Sequence, residues 1–119
     1  MRTLLMSAVF VELLGASGAS EAHAFLLKSD PLVGATVAMP KTLRLEFSEA
    51  VELGFSGIEV ANASGAAIKA GMVHYAGDNR KVLMADLPQL PAGAYRVTWH
   101  VVSVDTHRTE GDFGFTVRP

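Results

Sequence analysis

The sequence predicts an all-β fold in which about seven short strands form two packed sheets. Apolar and polar residues alternate with a period of two along much of the chain, and this period is typical of strands that bury one face. No stretch keeps apolar residues at helical spacing for long enough to predict a helix. Turn-forming residues recur about every ten positions, which favours an antiparallel sandwich of the immunoglobulin or cupredoxin kind.

Each strand is predicted from its own alternating pattern. The first two clear strands are expected to bury Leu43, Leu45 and Phe47, and then Ile58 and Val60. The next three are expected to bury Val82 and Met84; Tyr95, Val97, Trp99 and Val101; and Phe113, Phe115 and Val117. A weaker strand is expected between Ile68 and Tyr75, and turns are expected at Asp30-Pro31, 62–65, 77–79 and 87–93. We assign the aromatic residues of these strands to packing, since aromatic side chains at alternating positions usually lie in a core.

The composition narrows the possible functions. A chain of 119 residues fits one domain with a short leader. Because 50 % of the residues are hydrophobic and only 18 % are charged, the chain is not expected to be disordered. The formal net charge of -2 offers no basic surface for nucleic acid. The absence of cysteine excludes disulfides, thiolate zinc sites and iron–sulfur clusters, so a metal would need histidine, carboxylate, methionine or terminal-amine ligands.

The first 22 residues have the layout of a secretory signal peptide. Arg2 precedes an apolar stretch at 4–14, and small residues follow at 15–20. The apolar stretch is too short to span a membrane. Small-residue preference alone allows cleavage after Ala22 or after Ala24, and only the first makes His23 the N-terminal residue.

The four histidines are the scarce reactive groups. His100 has the opposite parity to the core-facing residues of its strand, so it is expected at the surface, while His74 is expected to be partly buried. Asp105 and His107 follow a long strand and lie two residues apart, so both side chains can project to the same side of an extended chain. This pair can meet one metal ion, although a turn-forming aspartate beside an exposed histidine has the same pattern.

An N-terminal His23 would add its amine and its ring nitrogen to that pair. Two histidines, an amine and a carboxylate form a nitrogen and oxygen donor set that suits Cu(II). Because the amine must be neutral to bind, copper affinity is expected to weaken in acid.

The stretch from His23 to Pro119 resembles the CopC family of periplasmic copper-binding proteins. The matching segments are A-H-A-F-L-L-K-S-D-P from Ala22, L-R-L-E-F-S-E-A-V from Leu43, G-A-Y-R-V-T-W-H-V-V-S-V-D-T-H from Gly93, and G-D-F-G-F-T-V from Gly111. The resemblance implies a seven-stranded Greek-key β-sandwich or barrel at 23–119, a signal peptide at 1–22, and one Cu(II) site built from His23, Asp105 and His107. It also implies that Glu49 lies near the copper as an outer residue or a weak extra ligand.

The methionine content departs from some members of that family. Those members carry a Cu(I) site in a methionine-rich segment, whereas Met39, Met72 and Met84 of this chain are widely separated. A Cu(I) site is therefore expected to be absent, with Met72 and His74 as the remaining candidates for a poor one.

The expected function is that of a monomeric, non-enzymatic Cu(II) carrier or buffer in the periplasm, acting in copper resistance or homeostasis. Its expected partners are the copper ion and an inner-membrane copper transporter or another periplasmic copper protein. Two alternatives stay open. An N-terminal histidine with a second histidine resembles the copper-binding brace of monooxygenases, although an anionic Asp105 ligand would hinder cycling through Cu(I). A metal-free interaction sandwich would fit cleavage after Ala24.

Overall fold

The computed structural model describes residues 23–119, so the predicted leader at 1–22 lies outside the described residues. The strands are β1 (Leu26–Asp30), β2 (Thr36–Val37), β3 (Thr42–Phe47), β4 (Gly57–Asn62), β5 (Ala67–Ile68), β6 (His74–Ala76), β7 (Asn79–Asp86), β8 (Gly93–Val102) and β9 (Arg108–Val117), with one 3-10 turn at Leu53–Phe55. Residues 23–119 thus contain nine strands where about seven were predicted, and two of the nine, β2 and β5, have only two residues each.

The strands form two open sheets. The order is β1-β3-β7-β6 in the four-stranded sheet and β2-β9-β8-β4-β5 in the five-stranded sheet. The all-β sandwich is therefore confirmed, and within residues 23–119 the sheets do not close into a barrel. The short β2 pairs in parallel with β9, a departure from the expected antiparallel arrangement that arises because the chain crosses from β1 to the edge of the other sheet.

The core lies between the sheets and contains most of the predicted residues. Leu43, Leu45 and Phe47 of β3, the alternating row of β8 and the alternating row of β9 are all buried. The Trp99 ring meets the Phe47 ring edge to face, with centroids 5.2 Å apart. Aromatic pairs favour this geometry because the positive edge of one ring faces the negative face of the other.

For β7 the predicted burial of Val82 is confirmed, but the choice of the face that points between the sheets was wrong. Leu83 and Ala85 pair with Leu45 and Leu43 of β3, so they face the core. Met84 is opposite Arg44, and Val82 is opposite Glu46, which places both on the outer side of the sheet, although Val82 is fully buried there. The four consecutive apolar residues at 82–85 hide the two-residue alternation of the strand. Only the register with β3 therefore shows which side chains point between the sheets.

Strand β1 was not predicted as a distinct element. A bulge between Leu26 and Lys28 interrupts its register with β3, which removes the regular alternation from this part of the sequence. Within residues 23–119, no helix has the length and apolar character needed to cross a membrane.

Candidate metal centre

The loop between β8 and β9 holds Asp105 and His107 side by side. The Ser103 amide donates to the His107 carbonyl oxygen at 2.9 Å, and the Thr106 amide donates to the Ser103 carbonyl oxygen at 2.8 Å. Asp105 Oδ1 is 3.3 Å from His107 Nδ1, and the two side chains are 42 % and 48 % exposed. The loop therefore presents a carboxylate and an imidazole to solvent at one end of the sandwich.

The Ser103 hydroxyl lies beneath this pair. Ser103 is fully buried, and its hydroxyl donates to Asp105 Oδ1. The His107 amide donates to the same hydroxyl oxygen at 3.3 Å, and the His107 carbonyl oxygen is 3.2 Å from it. The Ser103 hydrogen bond is the main cause that lowers the pKa of Asp105 below its ordinary value of 3.8; burial opposes it, and His107 contributes in the same direction as Ser103.

The segment at 23–25, here called the N-terminal arm, is bonded to both sheets. Thr109 Oγ1 of β9 donates to the Ala24 carbonyl oxygen at 2.9 Å. At the end of β3, the Phe25 amide donates to Ser48 Oγ at 2.8 Å, and the Ser48 amide donates to the Phe25 carbonyl oxygen at 2.8 Å. Ala24 is only 1 % exposed and belongs to the core. These contacts place His23 at the same end of the sandwich as the loop.

The His23 ring meets the His107 ring edge to face, with centroids 5.0 Å apart and planes at 76°. His23 Nδ1 is buried and finds no hydrogen-bond partner among residues 23–119. A buried polar atom without a partner is costly, and an absent ion or water commonly explains one. Nδ1 is also the ring nitrogen that, together with the main-chain nitrogen of His23, can close a six-membered chelate ring on a metal ion.

The structure brings the three predicted ligands together as two contacting pairs. His23 contacts His107, and His107 contacts Asp105, but no three histidine, aspartate or glutamate side chains within 23–119 are arranged to hold one metal ion. In the full-length chain 22 residues precede His23, so its main-chain nitrogen is an amide nitrogen. The free amine exists only after cleavage at Ala22, so the unprocessed chain lacks one of the proposed donors.

Glu49 lies on the segment that follows β3, and this segment runs beside the loop. The Val104 amide donates to the Ala50 carbonyl oxygen at 3.2 Å, and Val51 forms an isolated bridge with Ser103. Glu49 is half-buried, and within the described range no hydrogen bond or ion pair joins it to His23, Asp105 or His107. The structure thus brings the backbone of the segment that contains Glu49 next to the loop, and the expected role of Glu49 as an outer residue or weak ligand stays a prediction.

The other two histidines lie on the outer faces of the sheets. The His100 ring lies over Gly57, where a Cβ atom would be 2.7 Å from its Cε1. This position agrees with the expected outward direction. His74 is exposed, so the prediction of partial burial was wrong: its neighbour Tyr75 occupies the inward position opposite Leu83. Across the strands His74 pairs with Met84, while Met72 is 88 % exposed.

A family model for the CopC domain matches residues 26–118. The chain belongs to the CopC family. It is 40 % identical over 99 residues to the Escherichia coli K12 protein YobA, an alignment that covers 82 % of this chain and 80 % of YobA. It is also 33 % identical over 100 residues to the Bacillus subtilis copper transport protein CutJ, covering 82 % of this chain and 18 % of CutJ.

A solved structure supports this membership in the CopC family. The crystal structure of PcoC, described as a methionine-rich copper resistance protein from Escherichia coli, superimposes with a TM-score of 0.75 at 36 % identity. The superposition covers 82 % of this chain and all of PcoC. The candidate metal centre therefore lies in a CopC-type sandwich, with His23 just before the span matched by the family model.

Sequence reasoning missed the residues that position the candidate ligands. Ser103, Ser48 and Thr109 hold the loop and the N-terminal arm, but none of them is a metal-binding residue type. One signal for Ser103 was available. Ser103 continues the inward-facing row of β8 that ends in Trp99 and Val101. A polar residue in such a row must find a hydrogen-bond partner.

Proposed function

We propose that this protein is exported, loses residues 1–22, and then binds one Cu(II) ion per chain as a carrier or buffer in the periplasm. The observation that carries the proposal is the contact between His23 and His107, with Asp105 beside His107 and with His23 Nδ1 buried and unpartnered within 23–119. The proposed ligands are the amine and ring of His23, together with Asp105 and His107.

The chemistry of these donors favours Cu(II). Nitrogen and carboxylate ligands in a tetragonal arrangement suit Cu(II), whereas Cu(I) prefers thiolate and thioether ligands. The chain has no cysteine, and none of its three methionines after residue 22 belongs to the proposed ligand set. The hydrogen bond from Ser103 lowers the pKa of Asp105, which favours the ionised carboxylate that a metal ion binds.

A role as a carrier, rather than as an enzyme, follows from the same ligands. An anionic carboxylate on the metal stabilises Cu(II) and opposes the reduction that oxygen activation would require. The exposed positions of Asp105 and His107 leave the metal open to a competing ligand from another protein. An open site of this kind can both take up and release an ion.

The names of the relatives point to copper handling. PcoC is described as a copper resistance protein, and CutJ as a copper transport protein. CutJ carries the matching segment in 18 % of its length, so in that relative a domain of this type is joined to a much longer chain. We therefore propose a transporter in the inner membrane, or a second periplasmic copper protein, as the acceptor of the ion.

The experiment is native mass spectrometry of the protein secreted from its own full-length precursor, recorded with and without one equivalent of Cu(II). We expect a mass that begins at His23 and retains one copper ion. The double variant Asp105→Ala/His107→Ala, secreted in the same way, should begin at the same residue and retain none. A wild-type mass that begins at Phe25, or no retained copper, would overturn the proposal and leave a β-sandwich without a metal.

A further inference from the structure

We propose that Ser103 is a positioning residue for the copper site and that its buried hydroxyl sets the geometry of both Asp105 and His107. This inference rests on the proposed function, because it concerns the affinity and geometry of the same site. Ser103 would not touch the metal; it would act through the two ligands that follow it in the chain.

The first argument is that the Ser103 hydroxyl contacts both ligand residues. It donates to Asp105 Oδ1, and it accepts a hydrogen bond from the His107 amide at 3.3 Å. The same carboxylate oxygen, Oδ1, faces His107 Nδ1 at 3.3 Å. One hydroxyl group therefore fixes the carboxylate relative to the imidazole and leaves Asp105 Oδ2 for a further partner.

The second argument is that the loop does not need this hydroxyl in order to close. The backbone bonds from the Ser103 amide to His107 and from the Thr106 amide to Ser103 already form the turn. An isolated bridge between Val51 and Ser103 holds the backbone of the loop against the neighbouring segment. The hydroxyl adds a side-chain contact to a loop whose backbone is already held, so its removal should alter the ligands more than the fold.

The third argument comes from the cost of burial. Two polar residues are buried in the described part of the chain, Ser29 at 3 % exposure and Ser103 at 0 %. Ser29 donates to the nearby Pro31 carbonyl oxygen at 2.9 Å, a local backbone contact. Ser103 instead donates to an ionised side chain, and hydrogen bonds to charged groups are the stronger and shorter kind.

Outer residues of this type have a measurable effect on metal sites, because they fix the orientation of the ligands. Their removal typically weakens metal affinity by about 10- to 100-fold. We expect Ser103→Ala to raise the Kd for Cu(II) by about this factor in protein that begins at His23. Ser29→Ala is the matched control, since it removes a buried serine hydroxyl that contacts none of the proposed ligands.

The experiment measures the Cu(II) Kd by chelator competition, together with the electron paramagnetic resonance spectrum of the bound ion. Ser103→Ala should weaken binding and shift the copper hyperfine coupling, because Asp105 and His107 would change position around the bound ion. Ser29→Ala should change neither quantity. Ser103→Thr keeps the hydroxyl and should restore the wild-type spectrum and Kd, even if its added methyl group lowers the melting temperature.

Wild-type protein offers a readout that does not depend on whether Ser103→Ala folds. In the metal-free protein, the Ser103 hydroxyl proton should exchange slowly enough to be observed by proton NMR near the Asp105 side chain. Absence of that resonance at low temperature would overturn the proposed contact.

The outcomes also separate this inference from the proposed function. If wild-type protein does not bind Cu(II), the proposed function fails. If wild-type protein binds tightly and folded Ser103→Ala binds equally well with an unchanged spectrum, only the role of Ser103 fails. An equal loss in Ser103→Ala and Ser103→Thr would overturn the role of the hydroxyl and indicate an effect of packing.

Discussion

The imidazole rings of His23 and His107 meet edge to face with centroids 5.0 Å apart, although one lies on the N-terminal arm and the other at the end of the β8–β9 loop. The contact depends on two separate anchors. Thr109 and Ser48 hold the arm, and the backbone hydrogen bonds of Ser103 with Thr106 and His107 close the loop. The candidate centre is thus assembled at one end of the sandwich from two segments that lie far apart in the sequence.

His107→Ala should abolish tight Cu(II) binding, because it removes a proposed ligand. The loss should exceed the factor of about 10 to 100 that is typical for residues outside the ligand set. His100→Ala is the control, since this histidine lies on the outer face of the five-stranded sheet over Gly57. Chelator competition measures both variants. Equal Kd values for His107→Ala and wild type would remove His107 from the site.

One glycine placed before His23 should weaken Cu(II) binding strongly while leaving the fold intact. The insertion moves the free amine away from the histidine, so the amine and Nδ1 of His23 no longer form a six-membered chelate. In the correctly processed protein, affinity should fall as the pH drops below about 8, because protons compete with copper for the terminal amine. A glycine-extended protein with unchanged affinity and pH profile would show that the amine does not bind copper.

Ser103→Ala should raise the pKa of Asp105 in the metal-free protein. The hydrogen bond from Ser103 is the largest cause of the lowered value, so its loss returns the pKa toward 3.8. A lowered folded-state pKa stabilises the fold above the unfolded-state value, and this contribution is lost as the pH falls through the folded-state value. Acid unfolding of the variant should therefore begin at a higher pH than in wild type.

The readout for this prediction is the carbon-13 shift of the Asp105 carboxyl group against pH, with Ser29→Ala as the control. The Asp105 titration of the control should match that of wild type. An Asp105 pKa that stays in place in Ser103→Ala would mean that His107 and the loop backbone hold the carboxylate without help from the hydroxyl.

Gly111→Ala should destabilise the domain, because Gly111 lies opposite Trp99 across β8 and β9. A Cβ atom at this position would be 2.6 Å from Trp99 Cζ2, so the indole or the strand would have to move. Overpacking of this kind costs about 1–3 kcal/mol in the free energy of unfolding. Gly54→Ala, where a Cβ atom meets nothing within 4 Å, is the control. Chemical unfolding followed by Trp99 fluorescence compares the two variants, and equal stabilities would contradict the expectation.

The sequence predicted those parts of the fold in which a single period governs the chain. The rows that contain Leu45, Val97 and Phe115 alternate without interruption, and each row is buried as expected. Along 82–85 four apolar residues in succession hide the period, and for this reason Val82 and Met84 were assigned to the wrong face. The bulge in β1 had the same effect, since it shifts the alternation within one strand.

The sequence predicted the residue types of the candidate site but not how the fold brings them together. The residue types at 23, 105 and 107 indicate a copper ligand set, but their spacing along the chain does not bring the first to the other two. That contact depends on the bonds of Ser48 and Thr109 to the arm, and long-range bonds of this kind leave no local pattern. The role of His23 as an amine ligand stays a prediction, since it depends on where the leader is cleaved.

The burial of Ala24 links the occupancy of the proposed site to the integrity of the core. Ala24 directly follows the proposed ligand His23 and is 1 % exposed within the main hydrophobic cluster. An ion that binds only the folded state stabilises it by mass action, by about 2.7 kcal/mol when the free ion is at 100 times its Kd. If heat, acid or proteolysis detaches Ala24 from the core, the chelating His23 leaves the proposed site at the same time. Under the proposed function, the periplasmic lifetime of the folded chain thus sets an upper limit on how long each copper ion is retained.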